Sequence, residues 1–212
     1  MTVIDYYFTT ISPYCYLAGD KLERIAARHG ARIAYKPVDM MKVFEVTGGV
    51  PVKARHQSRQ EYRFQDMGRR ARREGVAMNL QPKFWPGAPM LSCCALIAAE
   101  AAVKDGRADG DVGKAARAML RAQWAEQKDI GDTGVIAAAL DEAGFSADVL
   151  ADGVGAGATY ASNTAEAVQR GVFGAPFYIV GDQRFWGQDR LDDLELLLKE
   201  LAAGKGGPNA RH

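Results

Sequence analysis

Apolar residues near the amino terminus are too closely spaced for a helical stripe, and Val3 to Thr9, "VIDYYFT", predicts a strand. The spacing then changes. From Pro13 to His29, Tyr16, Leu17, Leu22, Ile25 and Ala26 fall on one helical face, and Gly30 ends it. "RIAYKPV" alternates as a second strand and stops at Pro37. A strand that returns through a single helix to the same sheet makes a right-handed parallel crossover. From Arg55 to Glu74, and again from Ser92 to Gly171, the chain is alanine-rich and helical in period, with breaks near Asp109, Gly131, Gly144 and Gly157. This predicts several antiparallel helices. "NLQPKFWPGAP", from Asn79 to Pro89, cannot be regular helix because of its prolines. After Gly171, "FGAPFYIVGDQRFWG" predicts a hairpin turning at Gly181 and Asp182, and "RLDDLELLLKELAA" a final amphipathic helix.

The order β-α-β, helical block, β-β-α predicts an α/β protein: a thioredoxin-like fold with a large all-helical insertion. Residues 1–42 and 172–203 form the thioredoxin-like part and 43–171 the inserted helices, while 204–212 are expected to be a disordered tail. In such a fold the start of the first helix and the "GAPF" loop before the third strand face one cleft.

Composition adds mostly exclusions. The 212 residues carry 27 Lys plus Arg against 26 Asp plus Glu, so no global charge bias advertises nucleic acid or a membrane surface as partner. No apolar run is long enough to span a bilayer, and the strand-like start is unlike a signal peptide, so the expected address is the cytoplasm. The three cysteines, Cys15, Cys93 and Cys94, do not make a disulfide framework. Cys93 and Cys94 are neighbours in a helix interior and are expected in the core; with His29, His56 and His212 they give no metal-ligand spacing. The basic stretch "KARHQSRQEYRFQDMGRRARRE" holds Arg55, Arg59 and Arg63 four residues apart. It is either a solvated face balanced by Glu61, Asp66 and Glu74 or an arginine lining that attracts anions, with nucleic-acid binding the least supported reading.

The chemistry concentrates at "ISPYCYLA", Ile11 to Ala18. Ser12 and Pro13 suit an N-cap and a first helical position. Ser-x-x-Cys is also what remains of a Cys-x-x-Cys redox motif once its first sulfur becomes oxygen. Ser12 cannot form a disulfide with Cys15, so the same helix start would hold a diffusible thiol. A cis Ala175-Pro176 bond in the facing loop would turn the Ala175 carbonyl and amide toward an extended peptide.

"YYFTTISPYCYLA", "GVFGAPFYIVGDQRFWGQDRLDDLE" and the helical block between them resemble the 2-hydroxychromene-2-carboxylate isomerase family, related to kappa-class glutathione transferases and to DsbA-like proteins. The resemblance runs from about Val3 to Ala202. It implies a cytoplasmic, glutathione-dependent cis-trans isomerase of aromatic catabolism. Such an enzyme interconverts 2-hydroxychromene-2-carboxylate and trans-o-hydroxybenzylidenepyruvate or a related aromatic acid, usually as a homodimer and without a metal. It implies Ser12 as the catalytic residue beside the glutathione sulfur. Ala175 and Pro176 then face the cysteinyl part of glutathione, and Gln188 and Asp189 the γ-glutamyl end, although Asp189 is also a candidate N-cap. Where the family has an asparagine after the second strand, this chain has "TGGVPVK", leaving Lys53 as the polar candidate for the glycyl carboxylate or the substrate's. Phe84, Trp85 and Trp186, with Tyr14 and Arg59, are candidate walls for the anionic aromatic substrate, whereas Tyr6 is expected in the core. A kappa-like transferase, a thiol-disulfide oxidoreductase and a nonenzymatic peptide-binding module would use the same cleft.

Overall fold

The computed structural model describes residues 1–204; the tail beyond them, part of the segment expected to be disordered, lies outside the described residues. Four strands, β1 (Val3–Phe8), β2 (Arg32–Pro37), β3 (Phe177–Val180) and β4 (Gln183–Trp186), form one sheet in the order β2-β1-β3-β4. β1 runs parallel to β2, with Tyr6 opposite Tyr35, and antiparallel to β3, with Tyr6 opposite Tyr178. β3 and β4 form the expected hairpin, Val180 opposite Gln183. Parallel pairing of β1 with β2 through an intervening helical segment, followed by an antiparallel hairpin, is the thioredoxin-like arrangement. The helices inserted between β2 and β3 are α3 (Met40–Thr47), α4 (Gln57–Glu74), α5 (Met90–Lys104), α6 (Val112–Trp124), α7 (Thr133–Glu142), α8 (Asp148–Val154) and α9 (Gly157–Gln169), with a 3-10 turn at Val52–Ala54.

The single helix expected from Pro13 to His29 is two, α1 (Pro13–Ala18) and α2 (Lys21–Arg28). Gly19 between them has φ 59°, a left-handed conformation that ends α1 and that only glycine adopts without strain. Side-chain caps begin several of the inserted helices: Asp39 accepts from Met41 N at 3.0 Å, Asp111 from Lys114 N at 2.8 Å and Asp132 from Val135 N at 3.0 Å. The last helix, α10 (Leu191–Ala202), buries Leu191, Leu194, Leu197 and Leu198 at helical spacing.

Alternation along β1 sends Ile4, Tyr6 and Phe8 to one face of the sheet and Asp5 and Tyr7 to the other. On the first face they pack with Cys15, Leu22 and Ile25 of the first two helices, with α10, and with Ala95, Leu96 and Met119 of α5 and α6. The inserted helices therefore share the sheet's hydrophobic core. Tyr6 is core, stacked on Phe8 at 4.5 Å and Tyr178 at 5.1 Å between ring centres. On the second face Tyr7, Phe177 and Ile179 meet Val43 of α3 and Ala167 of α9. There Asp5 is held by Lys36 at 3.1 Å and by Arg170, and Lys36 reaches Glu166 at 2.6 Å. Cys93 and Cys94 are buried as expected. Among the described residues, no helix is long and apolar enough to cross a membrane.

Candidate functional site

A cleft of about 930 Å³ opens where α3, α4 and the start of α1 face the two segments that bracket the β3–β4 hairpin. Tyr14, Arg55, Arg59, Asp66 and Arg70 line one side, and Phe173, Gly174, Ala175 and the run Trp186–Arg190 the other. Its charged lining is four arginines (Arg55, Arg59, Arg70, Arg190) against two aspartates (Asp66, Asp189), so the cleft favours anions although the chain as a whole is nearly neutral.

Ser12 joins the two sides from beneath. Its Oγ accepts from the Cys15 amide at 3.2 Å, which caps α1, and donates to the Ala175 carbonyl at 3.2 Å. It is 8% exposed and is not itself a lining residue, lying just under the surface formed by Tyr14 and Ala175. The Ala175-Pro176 bond is cis, with Pro176 buried behind Ala175. Gly174 lets the loop approach Trp186: a Cβ there would come within 2.3 Å of the indole Nε1. Cys15 is 2% exposed, and burial pushes its thiol up to about 11 despite the hydroxyl of Ser12 nearby, so the sulfur is protonated at neutral pH.

Arg70 organises the side formed by Gln188 and Asp189. Its Nη2 donates to Asp189 Oδ2 at 3.3 Å and its Nε to Asp66 Oδ2 at 3.0 Å. With the Gln188 amide turned so that its oxygen faces Arg70, Gln188 accepts from Nη1 at 2.5 Å. Burial disfavours the Arg70 charge, but Asp66 and Asp189 outweigh it and hold the guanidinium above its ordinary pKa. Asp66 also accepts from Tyr14 Oη at 3.1 Å; burial and that carboxylate push the phenol up to about 12. Asp189 is not the cap of α10. Arg190, whose side chain has no acceptor, occupies the N-cap position without a side-chain cap bond, and one carboxylate oxygen of Asp189 points to Arg70.

Of the residues singled out in the sequence, Tyr14, Arg59, Ala175, Trp186, Gln188 and Asp189 line this one cleft, with Ser12 and Pro176 directly behind it. Lys53 is not in the lining: it is exposed in the 3-10 turn, and Ala54 and Arg55 beside it face the cleft instead. Phe84 and Trp85 also lie outside the lining, on the proline-studded loop, where the Trp85 ring covers Arg63. The sequence marks Arg63 and Arg70 only as members of a basic run that is either solvated or lines an anion site, and gives neither a role of its own; Arg63 is 6% exposed. For Arg63 a signal exists: it stands four and eight residues before the buried Met67 and Ala71, on the inward stripe of α4.

Comparison with known proteins agrees with this geometry. The family model of the DSBA-like thioredoxin domain matches residues 3–199. A 2-hydroxychromene-2-carboxylate isomerase of Sphingobium xenophagum is 32% identical over 199 residues, covering 92% of this chain and 97% of that protein. One from Pseudomonas putida is 26% identical over 203 residues, covering 94% and 95%. The solved structure of a 2-hydroxychromene-2-carboxylate isomerase superposes with a TM-score of 0.75 at 23% identity, over 95% of this chain and 97% of that one, a likeness of fold. The chain belongs to the DSBA-like thioredoxin domain family and, within it, is related to the 2-hydroxychromene-2-carboxylate isomerases.

Proposed function

We propose that the protein is a cytoplasmic glutathione-dependent isomerase that interconverts 2-hydroxychromene-2-carboxylate and trans-o-hydroxybenzylidenepyruvate, or a closely related aromatic acid. The observation that carries this reading is the Ser12 hydroxyl, hydrogen-bonded across to Ala175 under an arginine-rich cleft, where a redox enzyme of this fold would carry a sulfur. The residues present suit glutathione. The Ala175 amide donates to no partner among the described residues and its carbonyl takes only the Ser12 hydroxyl, so this backbone suits an extended tripeptide. Asp189, 41% exposed with only one oxygen engaged by Arg70, suits an ammonium, and the surplus of arginines suits carboxylates.

When bound, glutathione supplies a thiolate that adds to the conjugated double bond and leaves again, so that the bond can rotate with no net redox change. The protein's part begins at Ser12. A donor that takes the Ala175 carbonyl frees the hydroxyl to turn its proton toward the sulfur. Because α1 has only six residues, the hydroxyl rather than the helix dipole is the main stabiliser of negative charge there. Arg59, facing the cleft, opposes the negative charge that grows on the substrate's carbonyl oxygen.

Disulfide exchange through Cys15 is the weaker reading, because that thiol is buried and protonated. The test offers 2-hydroxychromene-2-carboxylate, a chlorinated aromatic acceptor and a small disulfide, each with and without glutathione, while following substrate and free thiol. Isomerisation that requires glutathione and leaves its amount unchanged over many turnovers is expected. Consumption of one thiol per product would reassign the protein as a transferase, oxidation as a disulfide enzyme, and no glutathione binding would overturn the reading altogether.

A further inference from the structure

Arg63 is the one arginine of its stretch that is turned inward to 6% exposure, and among the described residues it has no hydrogen-bond or ion-pair partner. Its guanidinium carbon lies 5.3 Å from the ring centre of Trp85 and 5.9 Å from that of Trp124. Beside Trp124, Gln123 is fully buried with neither Oε1 nor Nε2 hydrogen-bonded, and the Trp124 Nε1 is equally unpaired. A Cβ on Gly87 would fall 3.3 Å from Gln123 Oε1 and 3.7 Å from Ile11 Cγ2. The loop that carries Trp85 and Gly87 therefore closes over the orphaned amide directly beside the residue preceding Ser12, with Gly87 exposed and Trp85 half-buried on its outer side.

The groups that face Arg63 bring no negative charge. Tyr14 and Arg55 are the nearest titratable neighbours, and the carboxylate one turn along α4, Asp66, is engaged by Tyr14 and Arg70. A guanidinium has five N–H donors in a planar fork. Two aromatic faces flank it, no protein group takes its donors, and none of its nitrogens is fully buried, so the fork stays open to a ligand. An apolar side chain of the same volume would fill this position at lower cost, so Arg63 is not explained as a stabilising device. A planar cation flanked by two indole rings has the donor fork for a carboxylate joined to a flat ring.

We propose that Arg63 anchors the carboxylate of the aromatic acid, with its ring against Trp85. This rests on the isomerase reading for the identity of the acid. Tyr14 and Arg55, whose charges act on Arg63, also line the cleft and connect the anchor to it.

The test uses chroman-2-carboxylate, a saturated analogue that cannot isomerise, and its carboxamide, titrated into the full-length protein by tryptophan fluorescence with and without glutathione. The wild type should prefer the carboxylate by about 10- to 100-fold, and Arg63→Met should bind both analogues alike; that loss is equivalent to about 1.4–2.7 kcal/mol. Arg63→Met should leave glutathione affinity unchanged and should not lower the melting temperature. No carboxylate preference in the wild type, or a preference that survives Arg63→Met, would overturn the assignment. So would a steep loss of thermal stability in Arg63→Met combined with a full preference in Arg63→Lys, which keeps the charge without the fork. A preference that tracks Arg63 in a protein without isomerase turnover would keep this site and overturn the reaction; turnover with the preference unaltered by Arg63→Met would do the reverse.

Discussion

Replacing Ser12 by alanine separates the structural work of its hydroxyl from the chemical work. In the free protein the substitution removes the cap bond to the Cys15 amide and the bond to the Ala175 carbonyl, both 3.2 Å long. A cap is worth about 1 kcal/mol and a neutral side-chain hydrogen bond about 1 kcal/mol, so unfolding should become easier by roughly 1–3 kcal/mol. In a chain of this length that lowers Tm by about 2–12 °C. With glutathione bound, the same hydroxyl faces a sulfur that is either a thiolate or a neutral thiol. A hydrogen bond to a charged acceptor is worth about 1.5–3 kcal/mol and one to a neutral thiol much less, so the bound thiol pKa should rise in Ser12→Ala by about 1 to 2 units. Taking a free thiol near 8.5 and a wild-type bound value near 6.5, most of the bound sulfur is ionised at pH 7 in the wild type, and about a quarter or less in the variant. The assay is the ultraviolet absorbance of the thiolate in the saturated complex, followed across pH, with glutathione affinity measured at pH about 5.5, where the neutral thiol dominates in both. Affinity at that pH should change little, and Ser12→Thr should restore most of the shift. A bound thiol that titrates at the same pH in wild type and Ser12→Ala would refute the role of the hydroxyl, whatever happens to the melting temperature.

Asp189→Asn should weaken glutathione binding about 10-fold by calorimetry and barely alter Tm, because its pairing with Arg70 is long and partly exposed and such pairs contribute about 0–1 kcal/mol. Burial pushes the Asp5 carboxyl up, but Arg170 and Lys36 outweigh it and hold the group below its ordinary pKa of 3.8 in the fold. Its contribution is therefore fully present above the unfolded pKa of about 3.9 and lost as pH falls through the lower folded value. Asp5→Asn should cost about 1–2 kcal/mol at pH 7, and chemical denaturation should show the gap from wild type closing below about pH 3.9. Cys15, Cys93 and Cys94, at 2%, 0% and 3% exposure, should resist alkylation by iodoacetamide at pH 7 until the protein is unfolded, and labelling of Cys15 at the rate of an exposed thiol would contradict its burial.

The strands and helices were legible because burial here follows period. Ile4, Tyr6 and Phe8 alternate in β1, and Leu191, Leu194, Leu197 and Leu198 repeat as a helical stripe in α10, so local pattern and tertiary contact agree. The division of the first helix was hidden because Gly19 lies within an otherwise continuous apolar period, and only its left-handed backbone ends the helix. Within the candidate site, the positions of Tyr14, Ala175 and Asp189 in one cleft follow from the order of elements around Ser12 and the "GAPF" loop. Arg70 and Arg63 were harder because a run of arginines gives the same signal whether its members are solvated, bridging carboxylates or buried between indoles. What distinguishes them is which helix face meets Asp189 or Trp124, and those partners lie far away in sequence.

The bond between Ser12 and Ala175 joins residues 163 positions apart, and β1 and β3 pair across a slightly longer interval. Closing so long an interval in one step is slow, although the additional entropy grows only logarithmically with its length. During synthesis, at about 5–20 residues per second, β1 pairs with β2 early and then waits with its other edge open while the helices between are made. An unpaired strand edge invites association with other chains, and Asp5 places a charge on this one during that wait. The hairpin that covers the edge also delivers Ala175, Gln188 and Asp189, so the nascent chain gains its protected sheet and the far wall of its cleft in one late event. A chain stalled before β3 would have the hydroxyl of Ser12 in place with nothing opposite it.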